Sequence, residues 1–192
     1  MSLMEKFKMP KQVTIAGRTS SITNAFISGI IPYIRPTEDD LIQCFRILEL
    51  DENDLRCVYC GNPSTEWDHL LPLVENKKPT GYISNIYNLV PSCGKCNQSK
   101  GNKGWREWIR SDAPRSPKNR NVKDLDKRIK RLEKYEKWGN EKPINFENMA
   151  SNSLWQTHWE NYKKLCKIIQ DCQIHANKLK KEISSNIENV KK

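Results

Sequence analysis

The sequence predicts an α+β fold, a small mixed core clamped by four cysteines and flanked by N- and C-terminal helices. Three observations lead there. Two Cys-x-x-Cys pairs, Cys57/Cys60 and Cys93/Cys96, bracket a stretch of short apolar runs and turn residues. On either side, apolar residues recur at three- and four-residue steps, the period of an amphipathic helix. At 192 residues, 36% hydrophobic and 29% charged, the chain can build one good core with exposed helical extensions, not one large sphere.

Residues 1–56 form the first zone, an N-terminal helical region. Thr19-Ser20-Ser21 is suited to cap a short helix through Phe26 and Ile30, stopped by Pro32. Thr37 with Asp40 three residues on resembles a capping box, and Leu41, Phe45 and Leu48 follow at helical spacing. Residues 57–110 form the second zone, short strands and loops closed by a helix. Leu70 to Val74 is an apolar run, and Asn76 to Gly81, with Lys, Pro and Gly, reads as a turn. A helix is expected from Asn97 onward through Trp105, Trp108 and Ile109, weakened by Gly101 and Gly104.

Residues 111–192 form the third zone, basic and amphipathic. Ser111 to Pro117 is a linker with two prolines. Leu125, Ile129, Leu132 and Tyr135 then make one helical stripe. In the last long segment, about 154–190, a seam runs through Tyr162, Leu165, Ile169, Cys172, Ala176, Leu179 and Ile183. It can pack back on the N-terminal helices or form a homodimer as a coiled coil, and the pattern suits both.

No apolar run approaches a membrane span and no signal peptide opens the chain, so a cytoplasmic setting without membrane contact is expected. Thiols stay reduced there, and paired cysteines serve as metal ligands. Each Cys-x-x-Cys brings two thiolates to one ion, and two such turns complete a closed tetrahedral site, the mark of a structural zinc. The 32 residues between Cys60 and Cys93 fit a functional insertion clamped at its base. Cys44, Cys166 and Cys172 lie on or beside apolar helical faces and read as small buried hydrophobes.

The formal charge of +10 is concentrated. Fifteen Lys or Arg against six Asp or Glu between Lys95 and Lys137 leave that stretch at +9. A basic block directly after the second cysteine pair implies an anionic partner, and Lys95, Lys103, Arg106 and Arg110 are the first candidates to meet nucleic-acid phosphates.

Between and after the cysteine pairs lie Asp68-His69, Asn88, Asn97 and Lys100. Phosphodiester hydrolysis needs a base for the attacking water and a cation for the developing charge. Asp68 and Asn97 offer the oxygen ligands that Mg or Mn prefers. Neighbours on extended backbone point to opposite sides, so His69 and Asp68 can take separate tasks. Asn88 has the donor and acceptor to fix the loop carrying His69. Lys100, near one helical turn beyond Asn97, can reach the same phosphate.

This order, Asp68-His69, Asn88, Cys93-x-x-Cys96-Asn97-x-x-Lys100, resembles the HNH nuclease signature in its zinc-bearing form, over about 57–103. The resemblance implies a ββα-metal fold, His69 as general base, Asp68 and Asn97 as ligands of one divalent metal, and Asn88 as the positioning residue. It also implies cleavage of double-stranded DNA, and the compact chain with its own helical flanks suggests a restriction or phage-defence enzyme. The rival from another class is a non-catalytic zinc-stabilised nucleic-acid-binding module. It accounts for the cysteines and the charge and leaves Asp68, His69 and Asn97 without a task.

Overall fold

The structure, a computed structural model, describes residues 3–190. In chain order its elements are α1 (Leu3–Lys6), α2 (Thr19–Ser28), α3 (Glu38–Leu48), β1 (Glu66–His69), β2 (Val74–Glu75) and β3 (Lys78–Pro79). There follow β4 (Leu89–Ser92), α4 (Gly94–Lys100), α5 (Trp105–Ile109), α6 (Leu125–Gly139), α7 (Phe146–Met149) and α8 (Asn152–Val190). Single 3-10 turns lie at Ala16–Arg18 and Ile86–Asn88. The chain divides into two compact units that cut across the three compositional zones: residues 27–149, and the two chain ends, up to Phe26 and from Ala150.

In the 27–149 unit, β1 pairs antiparallel with β4, Asp68 opposite Val90 and His69 opposite Leu89, and α4 follows β4 after Cys93. This is the ββα arrangement. β2 and β3 form a hairpin whose turn residues Asn76 and Lys77 both take positive φ, 50° and 62°, the conformation that matches the right-handed twist of a two-residue hairpin. Helix α3 starts on the expected capping box: Thr37 Oγ1 accepts from the Asp40 amide at 3.2 Å, and Asp40 Oδ2 from the Thr37 amide at 3.0 Å.

The single helix expected from Asn97 through Ile109 is two helices. α4 starts earlier, at Gly94, and ends at Gly101, whose φ of +52° and ψ of −130° suit a residue without Cβ; Gly104 then caps α5. The expected core residues of this stretch do go inside. Trp105 and Trp108 are fully buried, with indole N–H groups donating to Glu136 Oε2 and Ser99 Oγ, both at 3.0 Å. α6 buries Ile129, Leu132 and Tyr135, and packs on α3 and on the turn at 86–88. The Tyr135 hydroxyl is shared between the carbonyls of Leu89 (2.6 Å) and Ile86, tying α6 to the start of β4.

Ser111 to Pro117 is also more than a linker. Ser116 is fully buried; its hydroxyl donates to the Ser111 carbonyl at 2.5 Å and accepts from the Asn119 amide at 3.2 Å. The Lys118 amide donates back to the Ile109 carbonyl at 3.1 Å.

In the unit of the chain ends, Thr19 is no N-cap: α2 continues directly from the 3-10 turn, with Thr19 Oγ1 donating to the Ala16 carbonyl at 2.7 Å. The first half of the α8 seam packs back on this segment. Tyr162 bonds Thr23 at 2.8 Å, Gln173 accepts from the Ala16 amide at 3.1 Å, and Phe26 stacks against His158 and Tyr162. One segment covers one face only, so Cys166 is half-buried and Cys172 exposed, whereas Cys44 in α3 is buried as expected. No helix among the described residues is long and apolar enough to cross a membrane.

Candidate active site

The site begins at the four cysteines. Two tight turns bring Cys57, Cys60, Cys93 and Cys96 together, their sulfurs all within 4.8 Å of one another. The first turn closes with the Gly61 amide donating to the Cys57 carbonyl at 2.8 Å, and the second with the Cys96 amide donating to the Cys93 carbonyl at 2.9 Å. Gly61 has φ +78°, which favours glycine, and a Cβ there would also meet the Arg128 guanidinium at 2.6 Å and displace the end of that side chain. Hydrogen bonding to Cys60, together with burial, pushes the Cys57 thiol up to about 11; Cys96 is pushed up by its bonds to Cys57 and Cys60. Sulfurs this crowded are fully deprotonated only around a cation, so the donor set fits a structural zinc.

The first turn then reaches into the ββα unit. Tyr59, inside the Cys57–Cys60 pair, is fully buried, stacks edge-on against Trp108, and donates its hydroxyl to Asp68 Oδ2 at 2.7 Å. Asp68 is 4% exposed, and Lys100, from the end of α4, is 1% exposed. The Lys100 ammonium lies 3.2 and 3.3 Å from the two Asp68 oxygens and donates to the His69 carbonyl at 2.7 Å. Burial works against charge on both, raising the Asp68 pKa and lowering that of Lys100, and each charge opposes the shift on the other.

His69 follows on the other face of β1. Its Nε2 lies 2.7 Å from Ser84 Oγ. Burial, reinforced by the positive charge of Lys100, drops its pKa to about 4, so the imidazole is neutral at pH 7 and able to accept a proton. Asn88 is fully buried at the end of the 86–88 turn. Its Oδ1 accepts from the Leu71 amide at 2.7 Å, and its Nδ2 donates to the carbonyls of Leu71 (3.1 Å) and Ile83 (3.3 Å). One side chain thus ties the segment after His69 to the one before Ser84.

Asn97, half-buried on α4, donates its amide to Glu66 Oε2 at 2.7 Å. Glu66 lies two residues before Asp68 on β1, hence on the same strand face. Asn97 is thus paired with Glu66, while both Asp68 oxygens are held by Tyr59 and Lys100; carboxylate and amide oxygens are the donor types that a hard cation such as Mg or Mn prefers. Of the basic candidates, Lys95 and Arg110 are exposed, and Lys103 donates to the Ser99 carbonyl at 3.0 Å. Arg106 bonds Glu133 and Glu136 on α6 at 3.0 and 2.8 Å and lies over the Trp105 ring.

Sequence reasoning missed Glu66, Tyr59 and Ser84. Glu66 was open to a period-two reading of the Asp68 strand. Tyr59 and Ser84 carry no local signal, because their roles come from chain segments that meet only in the fold.

Comparison with curated proteins and with solved structures returns no match. A family model does match, and its bounds coincide with the geometry: from the first cysteine of the clamp to just past Lys100, residues 57–103 match the family described as HNH endonuclease.

Proposed function

We propose that this chain is a divalent-metal-dependent endonuclease that cuts double-stranded DNA, in a restriction or phage-defence role. The observation that carries this reading is His69, neutral at physiological pH and fastened through Ser84, beside Asp68 in a ββα unit closed by four cysteines. His69 takes a proton from a water, the water oxygen bonds to phosphorus, and the bond from phosphorus to the 3′ oxygen breaks, leaving a 5′ phosphate. Asp68 and Asn97 would hold a Mg or Mn ion, which would supply Lewis-acid stabilisation of the developing charge. Asn88 positions the His69 loop. Lys100 balances the Asp68 carboxylate, and Lys95, Lys103 and Arg110 meet flanking phosphates, with Arg106 reached only if it leaves its glutamates. Two such chains, joined through the exposed far half of α8, would suit a symmetric double-strand cut.

The rival, a non-catalytic zinc-stabilised nucleic-acid-binding module, draws on one observation: Lys100 and Tyr59 already occupy the Asp68 carboxylate. Incubation of supercoiled plasmid with the protein and Mg or Mn, beside EDTA and His69→Ala controls, separates the two. Metal-dependent nicks or fragments lost in His69→Ala are expected. Intact DNA under every condition, with binding that weakens steeply as salt rises, would leave the binding module.

A further inference from the structure

We propose that Arg120 belongs to the zinc centre: it hydrogen-bonds the zinc-bound sulfur of Cys96 and so ties the 111–124 strap that carries it to the clamp. Arg120 lies outside the segment matched to the nuclease family. Its Nη2 donates to Cys96 Sγ at 3.0 Å across 24 residues of chain. Its Nε is the one buried side-chain nitrogen or oxygen without a partner among the described residues. Burying part of a guanidinium unpaired costs free energy, so a strong compensating contact is needed.

A thiol sulfur is a weak acceptor, whereas a thiolate accepts a charge-assisted bond. Four thiolates around one zinc leave a net charge of −2 in a buried place, and a guanidinium at 3.0 Å offsets part of it.

The strap is built to deliver the arginine. The buried Ser116 hydroxyl closes the turn at 111–119, Lys118 ties it back to Ile109, and the Arg120 amide donates to the Ser116 carbonyl at 3.1 Å. A second arginine of the same basic block supports the assignment independently. Arg128 Nη1 donates to the carbonyls of Cys57 (3.4 Å) and Val58 (3.3 Å), and its guanidinium fills the space above Gly61. Two positive charges that composition offers to DNA are thus committed to the cysteine clamp.

This inference rests on the four cysteines binding zinc. The test uses the full chain as wild type, Arg120→Gln, Arg120→Lys and, as a control on an exposed neighbour, Arg115→Gln. Zinc content comes from native mass spectrometry, zinc release from the rate of transfer to a coloured chelator, and strap order from amide hydrogen exchange over 111–124. Arg120→Gln should release zinc at least about tenfold faster, the lower end of what substitutions beside a metal ligand produce. Arg120→Lys should fall between, because a point charge replaces the fork. Arg115→Gln should match wild type. Strap protection should drop in Arg120→Gln while zinc is still bound.

Equal release rates and unchanged strap protection would overturn the role of Arg120 while leaving the zinc clamp standing. Wild type without zinc would overturn the clamp and this inference together. Should Arg120→Gln fail to fold, Arg120→Lys decides by the same two readouts.

Discussion

Helices α6 and α8 have the same kind of sequence, an apolar stripe at helical spacing with lysines around it, yet the structure uses them differently. α6 is 15 residues long and buries Ile129, Leu132 and Tyr135; α8 is 39 residues long and buries none. On α6 the stripe packs into the core, and the Tyr135 hydroxyl meets the carbonyls at 86 and 89. The α8 stripe is half-covered by residues 16–26 and then runs on exposed through Leu179, Ile183 and Ile187. Amphipathic periodicity predicts that a helix forms. It does not say whether the apolar face finds a partner, because that depends on residues distant in sequence.

The largest test of this contrast removes the clamp. Cys93→Ser should leave the 27–149 unit unfolded, since structural zinc contributes about 10–16 kcal/mol to folding in small sites and whole domains hold about 5–15. Loss of the near-UV signal of Trp105 and Trp108 would report it, and a native-like spectrum would mean that the α3–α6 core stands without the metal. Next comes Lys100→Ala, which strands the Asp68 carboxylate in a buried place. Breaking one partner of such a pair costs about 3–5 kcal/mol, so the urea midpoint should drop sharply. A drop under about 1 kcal/mol would mean that water reaches Asp68.

The third test is pH. Folding holds the His69 pKa at about 4, below the unfolded value of about 6.5, so between these values the unfolded chain binds more protons. The stabilisation is complete above pH 6.5 and is lost as pH falls towards 4, amounting to roughly 3 kcal/mol. His69→Gln should flatten that part of the stability profile. By the same shift, cleavage should persist well below pH 6; an activity midpoint near 6.5 would place His69 in contact with bulk water. The smallest expected effect lies on the other helix. Ile183→Glu should change thermal stability by no more than about 0.5 kcal/mol, as for other exposed sites. A larger, concentration-dependent loss would show that a second copy covers α8.

Much of the site was legible from spacing. The two Cys-x-x-Cys pairs meet, and Asp68 and His69 fall on opposite faces of β1, because both follow from local geometry. The capping box at Thr37 and Asp40 is local too. Lys100 illustrates the limit. Spacing placed it near Asn97, but only the fold shows it buried against Asp68. Arg106 and Arg120 illustrate it further, since equal charges in one basic run are spent on Glu133 and Glu136 in one case and on Cys96 in the other.

The sequence by itself therefore determined the four-cysteine clamp, the order of the ββα unit and the helical character of both flanks, all set by interactions within a few residues. Tertiary structure alone decided where α4 hands over to α5 in space, that Tyr59 holds Asp68, that Ser84 faces His69, and which arginines remain open to a phosphate. Those outcomes depend on pairs 9 to 30 residues apart, whose meeting is set by the packing of the whole unit and by the cost of leaving any buried charge without a partner.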